Sequence, residues 1–213
     1  MSEVFQLPAT QDIVLFVLRW IHFMAGVVWI GHLYFFNFVQ GNFEKTLDGE
    51  TKKKVVPELR PRALWWFRWG AMFTMLSGVL IIGIKYGGTN ADGTSKMAQL
   101  THSEPGQWIT YGALLGLIMW FNVWFVIWPA QKNIIGWIKK GEKPAEFDGT
   151  VARAGKFSRI NTYLSVPMLF GMGAGGGHFG NFTPATGAVV LVVGAAIAWH
   201  CIWKVGPAVG KFE

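Results

Sequence analysis

Four of the five histidines in this 213-residue chain lie in or beside long apolar runs. His22 and His32 sit within RWIHFMAGVVWIGHLYFFNFVQ (19–40), His178 follows SRINTYLSVPMLFGM, and His200 ends AAIAWH. A neutral imidazole carries one N–H and one lone pair, and in an apolar setting both need partners. Two imidazoles from different helices at one level satisfy that need by supplying the two axial positions of a haem iron, with the porphyrin held between the helices. A hydrogen bond to a neighbouring carbonyl satisfies the same ring in plain helix packing. Both readings stand at this point.

Depth sorts the rings. At a 1.5 Å rise per residue, His22 lies roughly 14 Å in from the outer end of the first run, and His32 about 15 Å deeper. His178 emerges past the outer end of the fourth run, and His200 sits about 22 Å below the outer surface in the fifth. The expected couples are therefore His22 with His178, and His32 with His200. Ten residues leave a helix roughly 80° short of three full turns, so His22 and His32 face different neighbours. Gly26, one turn from His22, would let a flat macrocycle approach the backbone. Arg19, one turn outward, would neutralise a propionate or snorkel to the headgroups. Trp20, Trp29, Phe35 and Phe36 add aromatic surface. His102 is expected as a solvated loop residue, and Met168 and Met172 as soft ligands or packing. The GAGGG run joins no strand to a helix and is not a phosphate cradle.

The elements that must position these residues follow from composition. Hydrophobic residues make up 52% of the chain, with 12 Trp and 17 Phe, and only 15% are charged. That balance is far from a soluble domain. Five windows, at 13–38, 63–85, 107–129, 158–176 and 185–206, approach the roughly 20 residues needed to cross hydrocarbon. They are continuous apolar runs rather than alternating strands, which excludes a closed barrel. The expectation is an all-α integral membrane protein, a single domain over 1–213 forming a five-transmembrane-helix bundle.

Lys and Arg gather in 41–62 and 130–157, whereas 86–106 carries only Lys96 and 177–184 carries no charge. The positive-inside rule makes 41–62 and 130–157 cytoplasmic loops, with the N-terminus outside and the C-terminus inside. The expected location is the bacterial inner membrane. The net charge of +7 then belongs to the loops and the bilayer rather than to nucleic acid. The first window runs too long for a removed signal peptide. A lone Cys201 gives no internal disulfide or Cys-pair metal site, and no C-x-x-C-H occurs for covalent haem. Pro57 and Pro61 are expected to break any helix in the first basic loop, and Pro129 to end or bend the third span before a short interfacial piece bearing Trp137. The segments 87–106 and 171–184 read as outer loops, the second packed closely through its glycines.

Three stretches, RWIHFMAGVVWIGHLYFFNFVQ, NVWFVIWPAQK (122–132) and SRINTYLSVPMLFGM (158–172) followed by His178, together resemble the membrane domain of the bacterial urate oxidase (urate hydroxylase) N-terminal-domain family. The similarity runs from about 12 to 180. It implies redox work and electron delivery to haem iron, since in that family a cytochrome c domain typically follows. His22 stands in the W-x-H position and His178 after the fourth helix. Trp128, Pro129 and Lys132 match the W-P-x-Q-K segment, and Arg159 and Asn161 the R-x-N.

The resulting expectation is a b-type cytochrome membrane subunit carrying one or two bis-histidine haems. His22, His178, His32 and His200 would be the metal ligands, and Arg19 and Gly26 would line the cofactor. Such a subunit needs a separate cytochrome c, another redox subunit or a larger respiratory complex. Two alternatives remain: a haem-dependent membrane oxidase of urate or a related small molecule, and a cofactor-free structural subunit.

Overall fold

The computed structural model describes residues 9–209 and is built from helices, with a lone β-bridge between Thr89 and Ser95 in the connection after the second. Five long helices run among the described residues: α1 (Thr10–Thr46), α2 (Gly49–Tyr86), α3 (Glu104–Lys140), α4 (Phe147–Gly173) and α5 (Pro184–Ala208). Of these, α1, α2, α3 and α5 are long and apolar enough to cross a membrane, so the chain has the character of a multi-pass membrane protein. α4 falls short of that measure for a visible reason. It opens with Arg153, Lys156 and Arg159, and its inward face carries Asn161, Thr162 and Ser165, all fully buried among its neighbours.

The helices pack as α1 along α2, α3 along α4, and α5 against α4. Small residues set each crossing, as expected where lipid gives helices no hydrophobic drive to associate. A Cβ on Gly70 would lie 3.0 Å from the Trp29 nitrogen of α1, and one on Gly171 would lie 3.0 Å from the Gly112 nitrogen of α3. A Cβ on Gly194 would meet the ring of Pro167 at 2.6 Å. Between the two pairs, Trp29, Leu33, Phe67, Met119 and Val123 fill the core.

The basic segments are more helical than the partly helical connection expected at 41–62. Residues 41–46, 49–62, 130–140 and 147–157 are helical, leaving only short turns around 47–48 and 141–146. Pro57 and Pro61 do not break α2. The Asp48 carboxylate caps it, with Oδ1 accepting from the Glu50 and Thr51 amides at 2.9 and 3.0 Å, and both prolines lie in its interior. Two prolines four residues apart place their missing hydrogen bonds on one face, and burial of Val56, Pro57 and Leu64 offsets that loss.

Nor does Pro129 end α3. A π-helical turn over Asn122–Ile127 precedes it, so that Pro129 falls in the first turn of the α-helical segment Trp128–Lys140, where a missing N–H is tolerated. The piece expected to be interfacial is the continuation of α3, and it stops at Gly141 in the left-handed region (φ 70°). Further π turns occupy Phe35–Gln40, Ala174–His178 and Cys201–Val205. The glycine-rich segment packs closely, as expected, although α4 runs on past Gly173 until Gly177 (φ 84°) breaks it, rather than giving way to a loop from 171. A Cβ on Gly175 would collide with the Ile109 side chain at 2.3 Å.

Candidate functional site

His22 lies on the face of α1 that meets α2. Its Nδ1 donates to the Thr74 carbonyl at 2.9 Å, with the Ser77 hydroxyl 3.3 Å from the same nitrogen. Gly78 leaves room for the ring. A Cβ there would stand 3.1 Å from His22 Cε1 and 3.3 Å from Nδ1, so a side chain at this position would press the ring by a few tenths of an ångström. With its proton committed to a carbonyl through Nδ1, the imidazole keeps its lone pair on Nε2, the arrangement that orients a ligating histidine. Gly26 shares this face, with a Cβ position 4.0 Å from the Thr74 side chain.

The other expected residues are distributed differently. Arg19 is exposed. His32 donates from Nδ1 to the Val28 carbonyl of its own helix at 2.7 Å and borders a groove between α1 and α2. His200, near the end of α5, is exposed. His178 follows the break at Gly177 (φ 84°), and its side chain lies outside the described residues. His102 is exposed, as expected, but it closes a short helix (Gln99–His102) rather than lying in a loop, and its Nδ1 bonds the Ala98 carbonyl at 2.8 Å. Met168 is buried in the core and Met172 packs against it. Among the described residues no three His, Cys, Asp or Glu side chains converge on one point; a bis-histidine iron needs only two.

Three polar features went unremarked in the sequence. The first is a seam through the bundle: Asn122 Nδ2 donates to Asn161 Oδ1 at 2.8 Å, Asn161 Nδ2 donates to the Met119 carbonyl at 2.9 Å, and Tyr34 and Ser165 share a hydrogen bond of 3.0 Å. Its signal was present in Ser158, Asn161, Thr162 and Ser165, which recur at helical spacing on one face of an otherwise apolar run.

The second feature is an ion pair at the basic end. The Arg60 guanidinium bonds both oxygens of Glu44, Gln40 Nε2 donates to Glu44 at 2.6 Å, and Arg60 reaches Gln131 at 3.4 Å, so one cluster ties α1, α2 and α3 together.

The third is Arg68, whose guanidinium carbon lies 3.9 Å from the centre of the Trp128 ring and 5.8 Å from that of Trp124. Its Nε and the indole nitrogens of Trp29, Trp120 and Trp124 are buried with no acceptor among the described residues. Such orphaned donors suit a ligand that brings oxygen acceptors.

A family model described as "Urate oxidase N-terminal" matches residues 8–94 and 92–204. No curated protein and no solved structure matches the chain.

Proposed function

The chain belongs to the urate oxidase N-terminal family, and from that premise and the geometry at His22 we propose that it is a b-type cytochrome subunit that moves electrons in a bacterial cytoplasmic membrane. In this reading all five long helices span the bilayer, α4 being shielded by its neighbours, and the basic ends of the helices face the cytoplasm.

One observation carries the proposal: the hydrogen bond from His22 Nδ1 to the Thr74 carbonyl, which leaves Nε2 as a ligand atom inside a helix pair. His178 is the proposed second axial ligand, with Arg19 serving a propionate at the outer end. When bound, a haem would supply an iron that takes up and gives back one electron. The protein's own part is to hold the imidazole through Thr74 and Ser77, to keep the Gly78 surface clear beside it, and to exclude water with the Trp and Phe side chains. The orphaned donors of Arg68 and the nearby Trp124 indole favour an acceptor-bearing group in this bundle.

His32 and His200 are not carried into the proposal as a second couple. His32 borders an open groove, and His200 is exposed. Electrons would enter or leave through a separate cytochrome c or another redox subunit.

Replacing His22 or His178 by Ala in the purified protein tests the ligand assignment. Loss or gross alteration of the b-type spectrum in both variants is expected. Unchanged haem content in either one overturns that residue's role.

The family description favours a second reading, haem-dependent oxidation of urate. Urate consumption by membranes containing this chain alone, lost in His22→Ala, would establish it.

A further inference from the structure

Two clefts flank the ridge formed by Arg62 and Trp66 on α2. One, of ≈ 500 Å³, lies between α2 and the Val27, Val28, Gly31 and Phe35 side of α1. The other, of ≈ 490 Å³, runs from the same ridge past Pro57 and Trp65 to Lys139 near the end of α3.

Polarity changes along the first cleft. Antiparallel packing sets Arg62 and Leu59 near Phe35, and places Val27 and Val28 about 10 Å further from the basic end, where the walls are aliphatic. Gly31 leaves that part open, since a Cβ there would meet nothing within 4 Å. Glu58 lines the second cleft between the two cations: Arg62 pairs with it, both side chains about 70% exposed (70% and 68%), and Lys139 attracts it from beyond ion-pair distance, with no ion pair of its own among the described residues. An ion pair that exposed is worth little and yields readily to a stronger anion. Trp65 and Trp66, 47% and 55% exposed, supply the amphipathic rings that favour a headgroup boundary.

We propose that this ridge and its two clefts bind an anionic glycerophospholipid, with the phosphate between Arg62 and Lys139 and an acyl chain laid along Gly31, Val28 and Val27. A cation beside the basic segments at one end and only hydrocarbon at the other is the pattern such an amphiphile requires. Zwitterionic phosphatidylcholine lacks the net charge, and inorganic phosphate lacks the chain.

The test is lipid analysis of the detergent-purified protein, together with thermal shifts on adding cardiolipin, phosphatidylglycerol, phosphatidylcholine or inorganic phosphate. The wild type is expected to retain anionic lipid and to gain at least 3 °C with cardiolipin or phosphatidylglycerol only. Arg62→Gln with Lys139→Gln should cut retained anionic lipid at least threefold. Gly31→Leu, which plugs the apolar part without touching a charge, should do the same, while Lys85→Gln at the far end of α2 should change nothing. Equal shifts with phosphatidylcholine or with inorganic phosphate overturn the proposal, as does unaltered lipid in both the double variant and Gly31→Leu. Loss of haem rather than lipid in Gly31→Leu would make the groove a porphyrin site and equally overturn it.

Discussion

His22 of α1 and Thr74 of α2 are joined by a 2.9 Å hydrogen bond from the imidazole Nδ1 to a main-chain carbonyl. The contact crosses between helices, sits tightly against Gly78, and decides which nitrogen of His22 is left to act. Gly78→Ala is therefore expected to displace the ring. Overpacking of this kind costs about 1–3 kcal/mol. The check is thermal unfolding alongside the optical spectrum. A band shift at unchanged fold would show that the carbonyl bond sets the ligand orientation, and an unchanged spectrum would show that it does not.

The amide pair at the bundle centre should be a stability element. Asn161 is fully buried and donates to Met119, while Asn122 donates to Asn161. Asn161→Ala strands the Asn122 side-chain amide, since the Met119 carbonyl keeps its bond from the Asn122 main-chain N–H, and should cost about 1–3 kcal/mol for the polar group left unpaired. Asn161→Leu should be no better, because the stranded Asn122 amide is the same. Denaturant unfolding in detergent would measure both.

Glu44 and Arg60 form an ion pair whose side chains are 12% and 21% exposed. Removing one partner leaves the other charge largely buried, so Arg60→Met should destabilise by about 3–5 kcal/mol. The double variant Glu44→Leu with Arg60→Met should recover most of that loss. A double-mutant cycle in thermal or denaturant unfolding provides the comparison.

At the start of α2, the Thr51 hydroxyl, assisted by the Thr51 and Glu50 amides, holds the Asp48 carboxyl below its ordinary value. A carboxyl depressed in the folded state adds stability above its unfolded pKa and loses it as pH falls through the folded one. Hydrogen exchange at Glu50 and Thr51 should accelerate, relative to the intrinsic rate, on going from pH 6 to pH 3. Asp48→Ala should abolish that dependence.

How much of this was legible in the sequence varies by residue. The long apolar runs marked every helix core, because roughly 20 residues of hydrocarbon contact leave a plain signature. Helix ends were harder. Pro57, Pro61 and Pro129 carry strong local breaking signals, but burial around Pro57 and the π turn at Asn122–Ile127 offset them, and neither is visible in local propensity. The closeness of the glycine-rich segment was readable, since its residues leave room for Ile109 and Tyr111. His22 stood out by its type in an apolar run. Its partner Thr74 did not, because a main-chain carbonyl has no sequence signal. The Glu44 and Arg60 pair was hidden inside a segment that reads as an ordinary charged connection.

The central claim is that this bundle holds haem through His22. The most direct measurement is the pyridine haemochrome content and dithionite-reduced spectrum of the purified wild-type protein. Split b-type bands with about one haem per chain are the predicted result. A colourless protein, purified folded from haem-replete cells, would contradict it.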